Sequence, residues 1–234
     1  MQSPDEADHS EQRTRGRDAS GFDRWAETYD CTVSNSQQFP LLGYERTLDA
    51  VFRAAQAAAG MVVLDLGTGT GALAGRFLDA GCEVWGTDFS GAMLDRARAK
   101  HPRLHTGLAN LRDPLPNGFP ECYDRIVSSY ALHHLTLNEK VALIRHLARD
   151  RLTRDGRIVI GDVSFTRSAD RAVAREQFAH LWDPEEDYWA ADEFTRCLDV
   201  TVRCTYEQVS PCAGVYIVEP MQERPADSIH VAKD

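Results

Sequence analysis

Gly67, Gly69 and Gly71 alternate with threonines in "VVLDLGTGTGALAGRFLDAGCEVWGTDFS", residues 62–90, with Asp65 just before them and Asp88 near the far end. Glycine has no Cβ, so the chain can turn tightly there and a ligand can lie against bare backbone. An acidic residue about twenty positions beyond such a turn, at the end of the next strand, accepts both hydroxyls of a ribose. The pair therefore points to an adenosine-bearing ligand. "GTGTGA" also fits the dinucleotide fingerprint, so the glycines alone do not choose between cofactors. Asp65 puts negative charge where a pyrophosphate would lie, which disfavours an anion and suits a ligand carrying an ammonium group and a positive sulfur.

A second set could act on an acceptor. His133 and His134 in "SSYALHHLT" titrate near neutrality and are candidates for a base that takes a proton from a hydroxyl or thiol. Asp162 closes "RIVIGD", at the carboxyl end of a strand and so on the acceptor side. Structural hydrogen bonding explains it equally well. Tyr29 in "FDRWAETYD" can offer a ring face or phenol oxygen to a cation, and Trp25 lies one turn earlier, where plain packing also explains it. Phe178, His180, Leu181, Trp182, Tyr188 and Trp189 crowd "FTRSADRAVAREQFAHLWDPEEDYW". Trp182 and Tyr188 are candidates for an acceptor pocket, and "DPEED" reads as a solvated turn.

These side chains need strand ends to hold them. "FDRWAETYD" has apolar residues at helical spacing and reads as a short amphipathic helix. "LLGYERTLDAVFRAAQAAAG" reads as a longer one stopped by Gly60. Then "MVVLDLG", "CEVWGTD", "RLHTGL", "YDRIVSSYA" and "RIVIGDVSF" read as strands alternating with helices. One helix opens at a Ser90 N-cap, and another runs from Thr136 to just before Gly156. "VTVRCTYEQVSP" and "CAGVYIVEP" are joined too tightly for a parallel crossover, so they form an antiparallel pair. The fold class expected is α/β: a doubly wound, mostly parallel seven-stranded sheet with a reversed last strand, helices on both faces and N-terminal lid helices.

The expected organisation is a disordered tail over 1–20 and a single domain over 21–234. Within it we assign lid helices to 21–60, a cofactor-binding core to 61–166, an acceptor-side helical insert to 167–198 and antiparallel strands to 199–220. The chain has 234 residues, 43% of them apolar, and a formal net charge of −10. That composition suits a globular domain and argues against broad phosphate-tracking surfaces, so DNA is not an expected partner. "MQSPDEADHSEQRTRGRDASG" lacks the apolar centre of a signal peptide and no run is long enough to span a bilayer, so we expect a cytoplasmic protein without a membrane partner. The six cysteines are scattered with no zinc-ligand spacing, and no metal site is expected; Cys197, Cys204 and Cys212 leave a soft-metal or redox cluster as a weaker alternative.

Taken in order, "VLDLGTGTG", "GTDFSGAMLDRA", "YDRIVSSYALHHL" and "DGRIVIGDV" resemble the successive motifs of class I S-adenosylmethionine-dependent methyltransferases. "FDRWAETYD" resembles the lid helix of their small-molecule and uncharacterised bacterial members. The resemblance covers about residues 22–219. It implies S-adenosylmethionine as cofactor, leaving S-adenosylhomocysteine. Asp65, Gly67, Thr68, Gly69 and Gly71 would hold its methionyl part, Asp88 its ribose, and Phe89 and Met93 its adenine, with Tyr29 near the sulfonium and Ser128 at the fourth strand. The acid that the family often places after the third strand is Leu108 here, which leaves Leu108, Ala109 and Asn110 to read adenine. The Asn/Asp-Pro-Pro-aromatic loop used on base or glutamine amides is absent after strand four, where Ser128, Ser129, Tyr130 and Ala131 stand. The expected reaction is in-line transfer of a methyl group to O, S or N of a small molecule, by a monomer or homodimer. A tRNA-modifying enzyme, an NAD(P)-binding oxidoreductase and a catalytically silent cofactor-binding protein are the alternatives.

Overall fold

In a computed structural model, which describes residues 19–198 and 201–221, β1 (Val62–Leu66), β2 (Glu83–Asp88), β3 (His105–Leu108), β4 (Tyr123–Ser129) and β5 (Leu152–Phe165) run parallel. The strand order is β3-β2-β1-β4-β5-β8-β7, where β7 is Val202–Ser210 and β8 is Ala213–Pro220. β8 is antiparallel to both β5 and β7, so the last strand alone is reversed. A two-residue strand, β6 (Trp189–Ala190), adds to β5 off this path. Both faces of the sheet are covered, as its strand sequences require. Along β1, Val63 enters one apolar cluster and Leu64 the other, the alternation that a strand buried on both sides produces. The parallel order brings the ends of β1, β2, β4 and β5 to one edge, where ligands of such sheets bind.

The helices in chain order are α1 (Ala19–Trp25), α2 (Tyr29–Asn35), α3 (Tyr44–Ala55), α4 (Ala72–Asp79), α5 (Gly91–Lys100), α6 (Leu137–Asp150), α7 (Ser168–Gln177) and α8 (Ala191–Cys197). Ser90 caps α5 by accepting from the Met93 amide, 3.2 Å, and Thr136 with Glu139 forms a capping box on α6. Burial of Ile144 and Leu147 on α6 contributes about 1.5–3 kcal/mol each toward seating it on the sheet.

Three boundaries differ from the sequence reading. The lid segment is two helices, because Asp23 and Asp30 are each drawn to a different part of the site described below. α3 stops at Gln56, which is left-handed, and not at Gly60. β5 begins at Leu152, inside the stretch read as helix, because its first residues pair with β4: Leu152 lies opposite Tyr123, whose amide donates to the Arg151 carbonyl at 2.8 Å. Residues 1–18 of the expected tail lie outside the described residues, and α1 already contains residues 19–20. Among the described residues no helix is long and apolar enough to cross a membrane.

Candidate active site

The β1–α4 loop turns through Gly67 and Gly69, at φ +70° and +54°. A Cβ on Gly67 would lie 2.3 Å from that of Ala131, so only glycine lets the loop after β4 approach this closely. A Cβ on Gly69 would meet nothing within 4 Å: the backbone here borders open space, the start of a crevice lined by both glycines. Gly71 caps α4 and stands outside that lining.

Asp88 faces the two glycines from the end of β2. Its Oδ2 accepts the Gly69 amide and its Oδ1 the Ser90 amide, each at 2.9 Å. A carboxylate has about four acceptor positions, so both oxygens retain capacity toward the crevice. Burial raises its pKa, and the Ser90 and Gly69 amides pull it back.

Asp65 is 1% exposed and lies beneath the loop, not in the crevice lining. Its Oδ2 accepts from the Thr68 hydroxyl at 2.7 Å, while Oδ1 is buried without a hydrogen-bond partner. Thr68 is turned inward against Gly86 of β2. Burial pushes the Asp65 carboxyl up to about 7, against the Thr68 bond and with help from the charge of Asp88. At neutral pH it therefore carries only part of the negative charge that its position in the sequence suggests. A folded-state pKa above the unfolded value means that the native protein holds this proton more tightly, so stability falls as pH rises from about 4 to about 7. We expect urea unfolding of the wild type to show that decline and Asp65→Asn to flatten it. The same slope in both proteins would remove Asp65 as its source.

The lid closes the crevice with Phe22 and Tyr29. Asp23 of α1 accepts the Ser90 hydroxyl at 2.5 Å at the start of α5, where the helix dipole favours a carboxylate. Asp30 of α2 accepts the Thr70 hydroxyl at 2.5 Å and pairs with Lys100. Burial pushes the Tyr29 phenol up to about 12, opposed by Tyr44, so it is neutral at physiological pH. Trp25 does not line the crevice; its ring meets Tyr29 edge to face at 4.7 Å and props it.

Phe89 and Met93 form the far wall with Ala109 and Leu111. Leu108 is 64% exposed and outside the lining, and Asn110 Oδ1 accepts from the Arg112 amide. The Ala109 amide is bonded to the Asp88 carbonyl, 2.9 Å, which leaves its carbonyl and methyl for a ligand. After β4 the crevice takes Ser129, Tyr130, Ala131 and His134. Ser128 points the other way and donates to the Leu66 carbonyl at 2.7 Å. Tyr130 holds a left-handed φ of +50°, secured by its amide on Gly161 and its hydroxyl on Thr47.

His133 is buried behind His134. Its Nδ1 lies 2.6 Å from Asp162 Oδ1, and its amide donates to Asp162 Oδ2 at 3.0 Å. Burial opposes charge on this ring, but Asp162 and then Glu186 carry its pKa up to about 9. His134 is driven the other way, to about 3, by burial and by the charge of His133. Neutral His134 therefore faces the crevice and cationic His133 supports it.

A second cavity lies beyond His134, bounded by Thr136, Arg171, Arg175, Trp182, Glu186 and Tyr188 among others. Trp182 meets Tyr188 edge to face at 4.7 Å and stacks on Phe39 at 5.4 Å, so the two candidates for acceptor binding also seat the insert. "DPEED" is a turn solvated at Pro184 and Glu185, but Asp187 and Glu186 turn into the site. The Asp187 amide donates to the His133 carbonyl at 2.9 Å, its Oδ2 accepts the Leu137 amide at 2.8 Å, and its carboxylate pairs with the buried Lys140 at 3.4 Å. That folds Glu186 over the two histidines.

Phe22, Leu111, Ser129, Tyr130 and Glu186 are site residues that sequence reasoning missed. Phe22 was visible on the same helical face as Trp25. Ser129 was one position from the serine chosen.

A family profile described as "Methyltransferase domain" matches residues 63–156. An uncharacterised methyltransferase of Geobacillus thermodenitrificans is 37% identical over 213 residues, 86% of this chain and 95% of the relative. One of Anoxybacillus flavithermus is 37% identical over 161 residues, 66% of this chain and 72% of the relative. Among solved structures, magnesium protoporphyrin IX methyltransferase from Synechocystis with bound S-adenosylhomocysteine superposes with a TM-score of 0.60 at 19% identity, over 86% of this chain and 95% of the other.

Proposed function

Because the chain belongs to the class I methyltransferases, we propose that it moves a methyl group from S-adenosylmethionine to an O, S or N nucleophile of a small molecule held in the cavity beyond His134. The observation that carries this reading is the open cradle at Gly69, opposite the spare acceptor positions of Asp88 and under the phenol of Tyr29. The residues present fit such a cofactor: a Cβ at Gly69 would fill the cradle, and the walls from Phe89 to Leu111 are apolar enough to receive a base. Bound there, the cofactor supplies a methyl group already activated by a positive sulfur.

The chain's contribution is then chiefly alignment and exclusion of water. Asp88 accepts ribose hydroxyls, and Gly67 and Gly69 present backbone without obstruction. Tyr29, neutral and held by Trp25, offers its oxygen and ring face to the cation. His134 lines the crevice with its Nδ1 3.9 Å from Glu186 of the cavity, and receives a hydrogen bond from the acceptor's hydroxyl, thiol or amine. His133, which keeps its own proton to about pH 9, acts through His134 and the loop and not as the base. Trp182 and Tyr188 border the acceptor.

Calorimetry with S-adenosylhomocysteine and NAD in parallel is the first test: the former binds and the latter does not. Labelled S-adenosylmethionine incubated with a cell extract then reports the acceptor class. Label in the low-molecular-weight fraction is expected, and label confined to RNA or protein would overturn the small-molecule assignment.

A further inference from the structure

Among the described residues, His133, His134 and Glu186 bring three donor atoms within 4.8 Å of one another. His133 Nε2 lies 3.7 Å from Glu186 Oε1, and His134 Nδ1 lies 3.9 Å from the same oxygen. These separations are too long for hydrogen bonds, so the three groups face one another through charge alone, Glu186 pairing with the His133 imidazolium. They are also close to what one ion requires, since two ligands at about 2.1 Å from a tetrahedral metal stand about 3.4 Å apart. The two imidazoles are neighbours in sequence, yet the 3-10 turn Leu132–His134 sets their ring centres 4.3 Å apart and turns both toward Glu186.

The surroundings have the form of a metal site's supporting shell. Asp162 binds His133 at Nδ1 and so presents Nε2 to the cluster, the carboxylate–histidine arrangement that fixes a ligating imidazole. Asp162 is itself held by Trp189 Nε1 at 3.1 Å and the Val163 amide at 2.8 Å. The Tyr188 phenol lies beside the Glu186 carboxylate. Asp162 and Glu186 together balance a double positive charge, while the nearby Lys140 has its own partner in Asp187.

We infer that His133 Nε2, His134 Nδ1 and Glu186 form a binding site for one divalent transition cation, zinc or an ion of similar preference, between the glycine crevice and the second cavity. The ion displaces to solvent the Nε2 proton that His133 holds without it. Two imidazoles and one carboxylate are a donor set of catalytic rather than structural metal sites, because they leave coordination positions open. His134 borders the crevice and Glu186 the cavity, so the open positions face the space between them. Resting on the methyl-transfer reading above, the occupant of that position is the heteroatom of the acceptor, which with the metal bound meets the ion in place of the hydrogen bond to His134, and this narrows the substrate class to hydroxyl, thiol or amine compounds able to ligate a metal. The absence of zinc-ligand spacing in the sequence concerned local motifs, whereas this set needs Glu186 from a distant loop.

The test is titration of the chelator-stripped full-length protein with Co2+, followed by its visible absorption, and with Zn2+ in competition. One equivalent is expected to bind. Glu186→Gln and His134→Gln should each weaken binding roughly tenfold or more, and far-UV circular dichroism checks that both variants remain folded. No stoichiometric binding, or binding by either variant as tight as by the wild type, would overturn the site. Because the readout is metal uptake, the result is independent of calorimetry with S-adenosylhomocysteine: loss of cofactor binding with intact Co2+ uptake would instead count against the methyl-transfer reading.

Discussion

Asp162→Ala is expected to lower the unfolding free energy by about 3–5 kcal/mol, the cost of leaving a buried charge without its partner. Asp162 is fully buried and accepts from His133 at Nδ1 and the main-chain amide, from Trp189 Nε1 and from the Val163 amide. Alanine would orphan all four donors at once, and each buried donor left unpaired costs about 1–3 kcal/mol before relaxation. Burial alone would raise the carboxyl's pKa, but His133 and Lys140 hold it below the usual carboxylate range. A depressed pKa contributes stability that is present above the unfolded value and lost as pH falls through the folded one, so the difference between wild type and variant should shrink in acid. Urea unfolding at neutral pH measures the effect as a shift of midpoint at unchanged slope. The double variant Asp162→Leu/His133→Leu should recover part of the loss, since removing both partners leaves no uncompensated charge. A loss below about 1 kcal/mol for Asp162→Ala would show that the network does not anchor the loop.

Much of this architecture was written in local pattern. "MVVLDLG" declares a strand buried on both faces, and Ser90 and Thr136 declare helix starts because each carries its own hydrogen-bonding partner for the first turn. Asp88 and the glycine loop were legible for the same reason: strand, turn and helix put them together without any distant residue. What escaped depends on long-range geometry. Ser128 and Ser129 differ by one position, and in a strand that difference selects opposite faces; the sequence held no sign of which one turned to the crevice. Asp65 was placed by charge, but its neighbour Thr68 folds inward and buries the pair, so much of that charge is suppressed. The acidic run at 183–187 has the composition of a solvated turn and became a wall of the site only through bonds to His133, Leu137 and Lys140, residues about fifty positions away. The lid helix divides between Asp23, bonded to Ser90, and Asp30, bonded to Thr70 and Lys100, again outside the window in which periodicity operates.

Asp88→Ala should weaken S-adenosylhomocysteine binding about a hundredfold. Hydrogen bonds to a charged acceptor contribute about 1.5–3 kcal/mol each, and two ribose hydroxyls on one carboxylate would supply about 3 kcal/mol or more, which is a factor of about 10² in the dissociation constant. Asp88 has a second task, however: it holds the amides of Gly69 and Ser90, so its removal also loosens the cradle and the start of α5. Calorimetry with two ligands separates the tasks. An analogue of S-adenosylhomocysteine lacking both ribose hydroxyls has nothing for Asp88 to bind, so it should bind weakly to the wild type and be little affected by the substitution. If the carboxylate serves only to order the loop, both ligands lose affinity by the same factor, and the assignment of Asp88 to ribose fails. If the hydroxyl-bearing ligand alone suffers, the energy resides in the contact itself, with Gly67 and Gly69 providing the approach and Asp88 the discrimination.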